Sequence, residues 1–244
     1  MRNIKALMSY KGTAYHGFQR QENAVGIQNI LEEKLSYLTD GDVKVNGCSR
    51  TDSGVHANEY CFSFKTEHSI PCSNLVRGMN SLLPDDIAIK SCEDVSDDFH
   101  ARYSCIGKEY VYLILNSPTK NPFLSDRAFY YPYRLDVPLI EENAADFVGT
   151  HNFTSFCGIA GQKENSVRTV EYFRVEQSEN LVKLIVKGDG FLYNMVRIMV
   201  GTLIYINEGR IQPGSIPAII AAENRNLAGK TAVPYGLYLN RVYY

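Results

Sequence analysis

Long apolar runs are absent from this sequence. Its most apolar stretch, Ile198 to Ile206, falls well short of the ~18 residues that a membrane-spanning helix needs. No apolar segment follows a basic start at the N-terminus, so the pattern of a secretory leader is missing. These absences predict a soluble, cytoplasmic protein with no membrane partner. Cysteine occurs six times, at positions 48, 61, 72, 92, 105 and 157, never as a Cys-x-x-Cys pair and never beside a histidine cluster. That spacing argues against a zinc site, and without a leader it argues against a disulfide framework. The cysteines read as small buried hydrophobes kept reduced. A glycine-rich phosphate loop and metal-ligand spacings are lacking too.

Neither sign of charge dominates. The formal net charge is -2, whereas a protein that coats nucleic acid without selectivity is normally basic. The distribution is uneven, however. Residues 1 to 21 hold Arg2, Lys5, Lys11 and Arg20 and no acid, and residues 99 to 108 hold His100, Arg102 and Lys108 and no acid. Acids gather elsewhere, as at Glu93, Asp94, Asp97 and Asp98. A locally basic cleft on a nearly neutral body fits this pattern, and so do ordinary solvated charges.

What is present suffices for folding. With 244 residues and 45% hydrophobic content, the chain can bury a core as one large domain or two small ones. Charged residues make up 21% and are spread out, so a folded chain is expected. Ile4 to Tyr10 reads as a strand, and Ile27, Ile30, Leu31, Leu35 and Leu38 share one helical face. A turn at Gly41-Asp42 and strands near Val43 to Cys48 and Tyr60 to Phe64 follow. Leu75, Val76, Met79, Leu82 and Leu83 mark a second helix, capped by Ser73 and ended by Pro84, before a short strand at Ile87 to Ile89.

The second half repeats this supply of elements. Tyr110 to Leu115 is a strand rich in β-branched and aromatic residues. Asp136 caps a helix through Leu139, Ile140, Phe147 and Val148 that stops at Gly149. Val170 to Val175 and Leu181 to Val186 form paired strands, a helix runs from about Phe191 to Ile206, Pro213 opens another, and Leu237 to Val242 is the last strand. Two β-α-β-β-α-β halves emerge. The expected division is an N-terminal subdomain over residues 1–102 and a C-terminal subdomain over residues 103–244. The expected fold class is α/β (α+β), two ferredoxin-like or RRM-like subdomains with mainly antiparallel sheet flanked by helices.

The chemically richest stretch is Gly47-Cys48-Ser49-Arg50-Thr51-Asp52-Ser53-Gly54-Val55-His56-Ala57. Its residues 50 to 56 set a cation, a carboxylate, an imidazole and two hydroxyls between two strands, and loops so held often carry function. Taken alone it reads as well as a simple hairpin turn, with Asp52 bonding nearby amides.

Arg50-Thr51-Asp52-Ser53-Gly54-Val55-His56-Ala57 resembles the signature of the TruA family of tRNA pseudouridine synthases. Other stretches resemble that family in order along the chain. They are Tyr10 to Gln19, Met79 to Pro84, Phe99 to Tyr103, Lys108 to Tyr112, His151 to Phe156, Gly190 to Arg197 and Thr231 to Leu239. The resemblance implies that Asp52 is the catalytic carboxylate, acting at the sugar as nucleophile or base. It implies that Tyr110 stacks on a flipped uracil and relays a proton, and that Arg197 is the third catalytic residue. Arg197 lies on an otherwise apolar helix, where an unpaired charge is costly; pairing with Asp52 would hold the carboxylate ionised. Arg50 is implied against RNA. His56 either contacts phosphate or orders the loop, and Lys11, Arg20 and Arg102 join the phosphate surface.

The resemblance further implies an active cleft between the halves and a homodimer that binds tRNA across subunits. The substrate is the anticodon stem-loop, at positions 38, 39 and 40. The reaction is redox-neutral and transfers no external group, so neither cofactor nor metal is expected. Cys48-Ser49 before Arg50, Ser53, Lys11 and Phe18, and the run from Ala57 to Cys61, depart from the usual family pattern and leave the choice of uridines open. Two competing classes are a non-catalytic RNA-binding module on the same fold and an aspartate-dependent hydrolase or phosphotransferase.

Overall fold

Strand β1 (Arg2–Tyr10) alternates from Ile4 onward, with Ile4, Ala6, Met8 and Tyr10 buried on one face. A computed structural model describes residues 1–161 and 165–244. The chain divides into two units, one of Met1–Ile106 with Tyr238–Tyr244 and one of Gly107–Leu237. The division thus falls four residues beyond the expected 102/103 boundary, and the last strand groups with the first unit.

The first unit follows the expected β-α-β-β-α-β order: β1, α1 (Ile27–Thr39), β2 (Val45–Gly47), β3 (His56–Thr66), α2 (Cys72–Leu82) and β4 (Ile87–Val95). Its sheet runs β4-β1-β3-β10, where β10 is Leu237–Tyr243, and β2 pairs with β3. β1 pairs antiparallel with β3 at Ile4↔Phe64 and with β4 at Lys5↔Glu93, whereas β10 runs parallel to β3 at Tyr238↔His56. Leu31 and Leu35 of α1 and Leu75 and Met79 of α2 are buried with the β1 and β3 faces. Asn80 ties α2 to β4, accepting from Ile89 N–H at 2.7 Å and donating to Ile89 O at 2.9 Å. That gives the Met79-to-Pro84 motif a structural purpose.

Two expectations here are corrected. Ser73 is not the cap of α2: the Pro71 carbonyl accepts from Asn74 and Leu75 N–H at 2.9 and 3.0 Å, so the helix begins earlier and Ser73 lies in its first turn. Strand β4 extends to Val95, beyond Ile89, because it pairs with β1 as far as Asn3↔Val95; its outer half is largely exposed and carries no apolar alternation to announce it.

The second unit has strand order β5-β9-β8-β7, all antiparallel, from β5 (Gly107–Asn116), β7 (Gly149–Asn152), β8 (Val167–Ser178) and β9 (Leu181–Gly188). A three-residue strand, β6 (Phe129–Tyr131), adds parallel to β5. Helices α3 (Val137–Ala145), α4 (Met195–Asn207) and α5 (Ile216–Ala221) complete it. Asp136 caps α3 as expected, its carboxylate accepting from Leu139 N–H at 3.2 Å. The helix ends at Ala145, however, and Gly149 opens β7 at φ 119.

Gly214 at φ 75 holds back the start of α5 to Ile216, so Pro213 does not open it. The His151-to-Phe156 motif is a core plug. Phe153 and Phe156 are fully buried, and Ser155 Oγ donates to Ile219 O at 2.6 Å. Among the described residues, no helix is long and apolar enough to cross a membrane. None of the six cysteines forms a disulfide among the described residues, and Cys48, Cys61 and Cys157 are buried. Burial pushes the Cys61 thiol up to about 11.

Candidate active site

Asp52 sits at the start of a tight turn. Its carbonyl accepts from Val55 N–H at 3.1 Å, and Gly54 supplies the left-handed residue at φ 79. The hairpin turn is present and leaves room for the functional reading: the backbone of Asp52 makes the turn, and its side chain is carried half-exposed upon it.

Several bonds fix this loop. Cys48 N–H donates to Cys61 O at 2.9 Å, and Tyr10 OH shares a hydrogen bond with Thr51 Oγ1 at 3.0 Å. Gly54 N–H and Ser53 Oγ both reach Tyr15 O, at 3.3 and 3.2 Å. Tyr60 OH bonds Ser49 O, and its ring stacks on Phe18 at 4.4 Å.

The loop after β1 lies directly against the Asp52 loop, which explains its glycines. A methyl on Gly12 would overlap the Val55 carbonyl oxygen and stand 2.7 Å from its carbon. One on Gly17, at φ 85, would overlap the Thr51 carbonyl oxygen. Gly12 N–H donates to His56 Nδ1 at 2.9 Å, and the His56 ring packs on Tyr238 at 4.7 Å. His56 is only 1% exposed. Of its two expected roles, this placement fits ordering of the loop, since a buried ring presents nothing to a phosphate.

His56→Ala leaves the Gly12 N–H without that acceptor and opens a cavity, so it is expected to destabilise the protein by about 2 to 4 kcal/mol. Denaturant unfolding measures this, and a loss under half a kcal/mol would contradict it.

The four candidate RNA-contacting cations of the first unit differ in their surroundings. Arg50 and Lys11 are exposed on the two apposed loops. Arg20 pairs with the buried Glu32 at 3.4 Å. The same carboxylate accepts from Gln28 Nε2 and Val45 N–H, both at 3.0 Å, so Glu32 organises the start of β2 as well. Arg102 projects from a turn built on buried Ala101, whose N–H donates to Ser63 Oγ at 3.2 Å and whose carbonyl accepts from Tyr244 OH at 2.7 Å. Its guanidinium lies 5.8 Å from the exposed Tyr103 ring.

Tyr110 and Arg197 belong to the second unit. Tyr110 on β5 is 7% exposed and meets Phe191 edge-on at 5.1 Å. Arg197 was expected on a helix beginning near Phe191; it lies in the first turn of α4, which begins at Met195. Asn194 adopts φ 60, ψ 6, so the apolar run from Phe191 is a turn and the helix starts at Met195. This places the Asn194 amide where its Oδ1 accepts from Arg197 Nη1 at 2.8 Å. Arg197 Nε donates to Ala232 O at 2.7 Å, and Ala232 N–H returns a bond to Arg197 O at 3.0 Å.

Next along that segment, Val233 O accepts from Tyr112 OH at 2.9 Å, and burial pushes the Tyr112 hydroxyl far above its usual range. The guanidinium is thus oriented by a helix-terminal amide and a fixed carbonyl. Asn194 was in the sequence motif without a role; only its left-handed backbone reveals one.

Among the described residues, no group of three or more His, Cys, Asp or Glu side chains is placed to hold a metal. A family model described as tRNA pseudouridine synthase matches residues 6–104 and 144–244.

The chain belongs to the tRNA pseudouridine synthase family.

Among its relatives in that family, "tRNA pseudouridine synthase A" of Ruminiclostridium cellulolyticum is 45% identical and that of Acetivibrio thermocellus 43% identical, each over 100% of both chains. "tRNA pseudouridine synthase A 2" of Clostridium perfringens is 41% identical, again over 100% of both chains. A solved structure described as a Cbf5-Nop10-Gar1 complex aligns with a TM-score of 0.40 at 13% identity, covering 97% of this chain and 48% of that one. So slight a likeness adds nothing to the assignment. Both family-matched segments include residues singled out above: Asp52, Arg50 and His56 lie in the first, Arg197 in the second. Tyr110 lies in the stretch between them.

Proposed function

We propose that this protein isomerises uridine to pseudouridine in the anticodon stem-loop of tRNA, at positions 38 to 40. The observation that carries the reading is full-length similarity to tRNA pseudouridine synthases, with the Arg50-Thr51-Asp52 string intact on a rigidly tied loop. The reaction breaks the bond from ribose C1′ to uracil N1 and makes one from C1′ to C5. The C5 hydrogen leaves as a proton and N1 gains one, so the atoms balance without a cofactor.

Asp52 acts at the sugar, as nucleophile or base. Tyr110 stacks on the uracil, and Arg197 supplies positive charge to the reacting centre. Arg50, Lys11, Arg20 and Arg102 face the phosphates, and buried His56 supports the substrate site by holding the loop. The enzyme works in the cytoplasm as a homodimer.

Incubating unmodified tRNA transcripts with the protein and mapping pseudouridine base by base tests this. Product confined to positions 38 to 40 is expected. No product in any tRNA carrying uridines there would refute the reading.

A further inference from the structure

The second unit contains a cavity of about 480 Å³ whose lining includes Tyr193, Asn194, Tyr205, Arg225, Asn226 and Lys230. Its walls are set by backbone contacts that leave little freedom. On one side, Gly229 N–H donates to the buried Thr202 Oγ1 at 2.8 Å, and a methyl on Gly229 would stand 2.6 Å from Thr202 Cα. On the other, Gly158 N–H donates to Tyr193 O at 2.8 Å, and a methyl there would stand 2.7 Å from the Tyr193 ring. The cavity is preorganised, which lowers the cost of ordering a ligand.

Among the described residues its charge is one-sided: Arg225 and Lys230 line it, and no described acidic residue does. Among the described residues, half-buried Arg225 donates to Ala228 O and Thr231 Oγ1, at 3.4 and 3.3 Å, both neutral and both long. Desolvation draws its pKa below the ordinary arginine value. A guanidinium withdrawn from water without a counter-charge is costly, and its fork matches a phosphate. Lys230 adds an exposed ammonium, 5.8 Å from the Tyr205 ring centroid. Tyr193 presents a ring that is 49% exposed, the kind of surface on which unpaired bases stack.

We propose that this cavity is an RNA subsite in which Arg225 and Lys230 take a backbone phosphodiester and Tyr193 stacks on an adjoining unpaired base. It rests on the reading of the protein as a tRNA-modifying enzyme and adds a second anchoring point for that RNA. It also touches the proposed catalytic apparatus, since Asn194 of its lining accepts from Arg197.

The test measures tRNA affinity of the full chain against salt, with kcat and KM for pseudouridine formation. Lys230→Gln should lower the slope of log affinity against log salt by about 1, and Arg225→Gln with Lys230→Gln by about 2. KM should rise about tenfold in the double variant with kcat unchanged. Arg225 also ties its own turn, so Lys230→Gln keeps the test valid if the double variant folds poorly. A merely structural Arg225 would lower the melting temperature and leave the slope alone.

Unchanged slopes in both variants, with pseudouridine still formed, overturn the subsite and leave the function standing. A lowered slope in a protein that makes no pseudouridine keeps the subsite and removes the function. Inorganic phosphate binding below millimolar, lost in the double variant while tRNA affinity stays constant, would reassign the cavity to a free anion.

Discussion

Asp52→Asn is expected to reduce pseudouridine formation by about a thousandfold or more, with tRNA affinity within about threefold of the parent. Asparagine keeps the size of the side chain and removes its charge, nucleophilicity and basicity. It also leaves in place the bonds described for the turn, which use the Asp52 carbonyl, the Gly54 and Val55 N–H groups, the Ser53 hydroxyl and the Tyr15 carbonyl. Binding and chemistry should therefore separate: the variant still takes tRNA and fails to isomerise it.

This separation discriminates enzyme from binding module. A non-catalytic RNA-binding protein would show no activity to lose, and one relying on Asp52 only for folding would lose stability along with binding. Single-turnover rates with saturating enzyme, next to a thermal melt, decide the matter. Activity within tenfold of the parent would remove Asp52 from the mechanism.

Much of the fold was legible because the hydrophobic period is strong where two layers meet. The alternation of Ile4, Ala6, Met8 and Tyr10 and the helical spacing of Leu31 with Leu35 carry the first unit. Elements of three or four residues, β6 and β7, show no period and were not expected. The start of α4 was missed because Phe191 and Leu192 continue an apolar pattern that Asn194 interrupts only through its backbone angles. The grouping of β10 with the first unit follows from pairing with β3 across most of the chain length, which no local window contains.

The Asp52 loop was legible through its string of polar residues and its family resemblance. Its support was not. A glycine announces freedom of conformation, but only the fold reveals which carbonyl it must admit, as Gly12 admits Val55.

The same reasoning makes Gly201 the position of greatest expected sensitivity in the second unit. Gly201 lies in the buried face of α4, and a methyl on it would overlap the Lys230 carbonyl oxygen and stand 2.9 Å from the Lys230 carbon. Gly229, on the crossing segment, is equally tight, its added methyl lying 2.5 Å from the Gly201 carbonyl carbon. Helix propensity favours alanine over glycine by about 0.5 to 1 kcal/mol. Opposing it, overpacking costs about 1 to 3 kcal/mol, and each strained hydrogen bond adds about 1 kcal/mol.

Three bonds depend on that crossing: Gly229 N–H to Thr202 Oγ1, Arg197 Nε to Ala232 O, and Ala232 N–H to Arg197 O. The clash should win, so Gly201→Ala is expected to destabilise the protein by about 3 to 5 kcal/mol and to lower its melting midpoint by roughly 6 to 20 °C. Because Ala232 O holds the Arg197 guanidinium, kcat should fall as well, even at temperatures where the variant is fully folded. Gly209→Ala is the control. Its added methyl meets nothing within 4 Å, and only its φ of 70 opposes the change, at about 1 to 2 kcal/mol. If Gly201→Ala proves no more harmful than Gly209→Ala, the close approach of residues 229 to 232 onto α4 does not support Arg197 as described.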